Sequence, residues 1–146
     1  MNDNIEMSID HLSGIALDWA VLFALHGEGP DWKILNGVFG VVSMRDVRVG
    51  LDGVDQVEEF HAYQPSVDWS ITGPLIESNR IELRKKGLPD EWYADKVFPW
   101  EADQDDWCAS GPTPLIATCR AIVQGKFGDE VHVPAMMVGN HQGRGE

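Results

Sequence analysis

Apolar and polar positions along this chain follow two periods, and each change of period marks an element. Residues 14–26 are apolar almost throughout, reading Gly14-Ile15-Ala16-Leu17-Asp18-Trp19-Ala20-Val21-Leu22-Phe23-Ala24-Leu25-His26. At about 100° per residue, Ile15, Trp19, Leu22 and Phe23 share one face, while Leu17, Val21 and Leu25 lie on the other. Asp10 or Ser13 supplies an N-cap and Gly27 a C-terminal stop. A helix that is apolar all round is buried. This one is predicted as the central core helix with Trp19 in the core, and a homodimer contact is the alternative use of its extra face.

After Gly29-Pro30-Asp31 the period shortens to two. Ile34-Leu35 and Val38-Phe39 flank Asn36-Gly37, a tight-turn pair, and Val41-Val42 extend the second arm. Val47, Val49 and Leu51 alternate with Arg48 and Gly50; Asp52-Gly53 then turns the chain into a return arm through Val57 to about Tyr63. A helix follows over 67–79, capped by Ser66, with Val67, Ile71 and Leu75 as its stripe; Pro74 inside it either kinks the helix or opens a short second one as its first residue. Ile81-Glu82-Leu83-Arg84 reads as a half-buried strand, Gly87-Leu88-Pro89-Asp90 as a loop, and 92–98 as the partner strand. Residues 99–112 read as an acidic linker. The last helix opens at Thr113 with Pro114 in its first turn and stops at Gly128. Its stripe is Leu115, Ile116, Cys119, Ile122, Val123 and Phe127, with Thr118, Ala121 and Gln124 opposite. Val131-His132-Val133 adds a short extended piece.

This order predicts an α+β fold: an antiparallel sheet of about four strands with three helices, layered helix–sheet–helix. Residues 1–9 are expected as a flexible leader, 10–133 as one domain, and 134–146 as a mobile tail.

The chain has 146 residues, with 24 Asp and Glu against 11 Lys and Arg, a formal charge of −13. That charge repels phosphate, so neither direct nucleic-acid binding nor an anionic membrane surface is expected. With 43% hydrophobic residues and six Trp, the chain has enough apolar surface to close a core despite its charge. The acidic N-terminus is no signal peptide, and the apolar stretch 15–25, broken by Asp18, is too short to span a bilayer. Cys108 and Cys119 lack metal-ligand spacing; Cys119 reads as a small buried hydrophobe, and a disulfide between them is not expected in a reducing compartment.

Three segments carry a family resemblance. They are Leu17-Asp18-Trp19-Ala20-Val21, then Tyr63-Gln64-Pro65-Ser66-Val67-Asp68-Trp69 with Gly73-Pro74-Leu75-Ile76-Glu77, then Gly111-Pro112-Thr113-Pro114-Leu115-Ile116-Ala117 through Gly128-Asp129-Glu130-Val131-His132-Val133-Pro134. Over most of residues 12–134 the chain resembles the NinX-like family of phage and prophage proteins, which is similar to the phage αβα-sandwich domain. Residues 40–62 and 99–107 carry no matching motif. The resemblance implies a temperate-phage or prophage protein in the cytoplasm of a bacterial host cell. It implies no activity, substrate or catalytic residue.

Five of the six tryptophans directly follow an acid: Asp18-Trp19, Asp31-Trp32, Asp68-Trp69, Glu91-Trp92 and Asp106-Trp107. Chance placement of 24 acids among 146 residues gives about one such pair. The pattern fits an aromatic surface ringed by carboxylates and suited to a cationic partner. It equally fits tryptophans that bury their rings while the neighbouring acid points to water, and that reading is preferred. Asp103, Asp105 and Asp106 suggest a cation, but Cys108 and Pro114 stand where a calcium loop wants Gly and a bidentate acid. The five histidines, His11, His26, His61, His132 and His141, have no metal spacing, and no phosphate loop or nucleophile elbow is present. No catalytic residue, metal or cofactor is predicted. The expected function is a non-enzymatic phage accessory module that binds a host or phage protein through Trp100, Asp103, Asp105, Asp106 and Trp107. Two alternatives stand beside it: an acidic nucleic-acid mimic that inhibits a host defence enzyme, and an unrecognised hydrolase.

Overall fold

The structure, a computed structural model, describes residues 4–85, 100–104 and 107–137, and of Lys85 and Trp107 the backbone alone. In chain order the elements are β1 (Asn4–Ser8), a 3-10 turn (Ile9–His11), α1 (Gly14–His26), β2 (Asp31–Leu35), β3 (Val38–Val49) and β4 (Gly53–Ala62). Then come α2 (Trp69–Ser78), β5 (Glu82–Lys85), β6 (Trp100–Gln104), β7 (Trp107–Gly111), α3 (Pro114–Phe127) and β8 (Glu130–Pro134). The class is α+β with every strand pair antiparallel. The strands among the described residues do not form one four-stranded layer. They divide into β1–β8, β2–β3–β4 and β5–β6–β7.

Helix α3 lies at the centre and joins two cores. One side gives Cys119 and Val123 to a cluster with Leu12, Leu17, Val21, Phe39, Val131 and Val133. The other side gives Ala117, Ala121 and Ile122 to a cluster with Ile81, Ala102 and Ala109. Thr118 and Ala121, expected on the open side of the helix, are therefore buried. Ala102 and Ala109 face each other across β6 and β7 and let α3 sit close to the sheet. Gly111 extends that approach, because a Cβ there would lie 2.6 Å from the Ala117 nitrogen. As expected, Thr113 caps α3; its Oγ1 accepts the Ile116 N–H at 3.1 Å. Arg120 is buried in the same helix and ties its surroundings together. Its Nε donates to the Leu12 carbonyl at 3.0 Å and its Nη1 to the Ser110 carbonyl at 2.9 Å.

The Asn36-Gly37 hairpin forms as the sequence predicts. Both residues have positive φ, 54° and 81°, which the two-residue turn between twisted strands requires. The second turn falls earlier than expected, over 50–52, because Val49 pairs with Gly53.

Three expectations are corrected, and a fourth falls outside the described residues. Residues 4–8 are not a loose leader, since β1 pairs with β8 from Asn4↔Pro134 to Ser8↔Glu130. Ile5 and Met7 alternate with Glu6 there, too briefly to stand out in sequence. The tail does not begin at Pro134, which closes β8, and Met137 beyond it is buried in the first core. The acidic stretch after residue 99 is no linker, because β6 and β7 lie within it; Ala102 faces the helix while Glu101 and Asp103 face out. Finally, β5 pairs with β6, Leu83 opposite Ala102, and the expected partner strand 92–98 lies outside the described residues. A smaller shift occurs at α2, which is capped by Asp68, whose Oδ1 accepts the Ser70 N–H at 3.0 Å.

Candidate functional site

Of the five residues expected to contact a partner, Trp100 and Asp103 are the two whose side chains are described, and they lie on opposite faces of one strand. Trp100 lies on the helix-facing side of β6, half-buried against the second core. Asp103 projects from the other side of the same strand. Trp107 starts β7, of which only the backbone is described at that position, and Asp105 and Asp106 lie outside the described residues. Register explains the split, because residues three apart on a strand face opposite ways.

On its outer face this sheet carries an ion network. Arg84 Nε donates to Glu101 Oε1 at 3.1 Å, and Arg84 Nη2 to Asp103 Oδ2 at 2.5 Å. Glu101, Asp103 and Cys108 stand close enough together to suggest a metal site. Arg84 already supplies the positive charge to both carboxylates, and its own proton is held more tightly for that reason. Local desolvation, then Asp103 and Glu101, push the Cys108 thiol up to about 12, so it stays protonated and is a poor ligand or nucleophile near neutral pH. Arg84 thereby ties β5 to β6. Cys119 is buried, and both cysteines are free thiols.

Asp18 has the environment that catalytic carboxylates often have. It is buried in α1, and its Oδ1 accepts the Ser66 N–H at 2.8 Å. Burial pushes its carboxyl up to about 6, against the opposing pull of the Ser66 hydrogen bonds. Burial raises the values of Tyr63 and Cys119, and the nearby charge of Asp18 adds to both. Asp18 is not among the residues lining the cleft described next, so its role is to hold the 63–68 loop against α1.

That cleft has a volume of about 270 Å³ and lies where α1 ends and β2 begins. Trp19, Leu22, Phe23, Pro30 and Trp32 form its apolar walls, with Glu28 and His132 among its polar groups. Trp19 stacks on Phe23 with centroids 5.0 Å apart, and Phe23 on Phe127 at 5.5 Å. Trp32 leans on Phe39 at 5.7 Å. Trp19, expected in the core, is thus half-buried at the core's edge. The first acid–Trp pair also inverts the expected arrangement, with the acid buried and the ring facing the cleft.

A second feature projects from the central sheet. β2 pairs only with residues 38–42 of β3, so from Ser43 to Glu59 strands β3 and β4 run on as a two-stranded arm. Opposed residues share a face. Arg45, Val47, Val49, Asp55 and Val57 lie on one, and Met44, Asp46, Arg48, Val54, Gln56 and Glu58 on the other. Ion pairs Lys33–Glu58 and Arg45–Glu59 brace its base, and Gln56 Nε2 donates to Asp46 Oδ1 at 3.0 Å. Among the described residues its outer part mixes exposed charges with exposed apolar side chains: Leu51 at the tip is 90% exposed and Val54 66%, with Met44, Val49 and Val57 also exposed.

The family model for NinX of bacteriophage P22 matches residues 8–126. The chain belongs to the NinX family. No curated protein matches it. The NinX match spans α1, the arm, α2 and α3, together with Trp19 and Trp32; β8, which the sequence resemblance included, lies beyond it. Sequence reading missed Phe23, Glu28 and Trp32 as cleft residues and Met44, Leu51 and Val54 as arm residues. Signals for both were present: acid–Trp pairs at 18–19 and 31–32, and a period-two run far longer than its partner strand. No helix among the described residues is long and apolar enough to cross a membrane.

Proposed function

We propose that this NinX-family phage accessory protein works by binding a host or phage protein, and that the β3–β4 arm is its main contact. The arm carries the reading. A two-stranded ribbon is marginally stable in water, and this one exposes Leu51 at its tip, Met44 and Val54 on one face and Val49 and Val57 on the other. Exposed apolar side chains gathered about the tip of an arm suit contact with another protein. The ladder groups along the outer edges of the arm add a second means of recognition, pairing with an extended segment of the partner.

The charge supports a protein partner over mimicry of nucleic acid. On the arm and on the β5–β6 sheet, Glu58, Glu59, Glu101 and Asp103 are each paired with a Lys or Arg of the chain itself, whereas a mimic would present rows of unpaired carboxylates on its contact face.

The test is affinity capture from host cells during phage induction. The tagged protein is compared with a Leu51→Ser, Val54→Ser variant. Both positions are exposed, so the variant is expected to unfold at the same temperature as the wild type and to lose the captured protein. Retention of that protein by the folded variant removes the arm from the contact.

A further inference from the structure

We infer that the cleft between α1 and β2 receives a single side-chain cation, the guanidinium or ammonium group of a basic protein segment. Four observations converge on that chemistry. The first is size. Pockets for drug-sized ligands run from about 300 to 1,000 Å³, and a cleft of about 270 Å³ suits one side chain.

The second is the walls. Trp19 and Trp32 line it with two indole rings, and such rings attract cations through their electron-rich faces, while Phe23 stacks between Trp19 and Phe127. Each indole is backed by another ring, Trp19 by Phe23 and Trp32 by Phe39. The walls are therefore set before a ligand arrives, which lowers the cost of ordering them.

The third is the field at the mouth. α1 ends here, with Gly27 lining the cleft and donating its N–H to the Phe23 carbonyl. The C-terminal end of a helix is its negative end. Glu28 follows at once and places a carboxylate on the same lip. Asn4 from β1 and His132 from β8 close the far side. The nearest lysine in sequence, Lys33, is turned to Glu58 in the neighbouring sheet and is not among the lining residues.

The fourth is the whole-chain charge of −13, which draws cations and repels anions over the approach. An acidic or phosphorylated segment would meet repulsion at each of these levels. A neutral aromatic group would fit the walls but would leave Glu28 and the helix end unused.

The inference draws on other residues than the arm, so either can fail alone. The test uses the whole protein, nitrogen-15 labelled, titrated with the peptide acetyl-Gly-Arg-Gly-amide. The same peptide with citrulline in place of arginine keeps the shape and removes the charge. The expected result is a saturable shift of the Trp19 and Trp32 indole N–H signals, with those of Trp69 and Trp100 unmoved. Citrulline should bind at least about fivefold more weakly, as expected when a cation–aromatic contact is lost. Glu28→Gln, at an exposed position that leaves the fold intact, should weaken the arginine peptide about threefold. Equal binding of the citrulline peptide would make the cleft merely apolar and overturn the proposal. So would unmoved Trp19 and Trp32 signals, or full affinity in Glu28→Gln. Loss of this binding beside undiminished capture of a partner through the arm would leave the protein-binding function standing and remove only the cleft.

Discussion

At Asp18 the chain buries a carboxylate where it has one clear hydrogen-bond donor, the Ser66 amide at 2.8 Å. The cost of that burial shows as a folded-state value of about 6 against an ordinary 3.8. Because the folded value is the higher one, the folded state holds the proton more tightly. The group favours folding fully below about pH 3.8, and that contribution is lost as the pH rises through 6. Asp18→Asn removes the titration and keeps an oxygen for Ser66. Urea unfolding should show the variant gaining about 2 kcal/mol relative to wild type between pH 4 and pH 7.5. Parallel pH profiles for the two proteins would show that Asp18 does not titrate in this range. Residue-level chemistry was only partly legible in the sequence. The acid–Trp pattern marked five tryptophans alike, Trp19 and Trp32 among them, and adjacency could not say which member of a pair is buried. Asp18 is buried and Asp31 is exposed, because α1 is packed on several sides whereas Asp31 starts a strand.

Elements whose pattern is long and uniform were legible, and those whose partners decide them were not. α1 and α3 stand out through caps and apolar stripes, and the first hairpin through Asn36-Gly37. β6 and β7 were hidden because Glu101, Asp103 and Ala102 are poor strand formers. They are strands because Arg84 satisfies the outer acids and α3 needs small residues beneath it. Arg120 was hidden for a related reason. On a helix stripe it reads as surface, yet α3 is enclosed on both sides and its guanidinium becomes the tie between two segments. Burial lowers its proton affinity, as expected for a charge taken from water. Arg120→Met fits the space but leaves the Leu12 and Ser110 carbonyls without their donors. Chemical denaturation should show a loss of roughly 2–4 kcal/mol. A loss below about 0.5 kcal/mol, the usual size for a surface substitution, would mean that Arg120 is not a structural tie.

At the scale of the molecule, two surface features, the arm and the cleft, sit on one body. The body is three small sheets around α1 and α3, with α3 shared between two cores. From it the arm extends and the cleft opens at the end of α1. The α+β class and the phage family were legible in sequence, since both rest on residues that form the body. The arm was legible only as alternation. That it outruns its neighbour depends on where β2 stops pairing, which no local pattern states. The central claim is that the arm meets another protein in the infected cell. A photo-crosslinking amino acid at Leu51, the most exposed arm position, tests it directly, with Lys126 on the last turn of α3 as the control position. One discrete adduct with a different protein is expected from position 51 during phage growth, and none from 126. No adduct at 51, or an adduct only with a second copy of this chain, would contradict it.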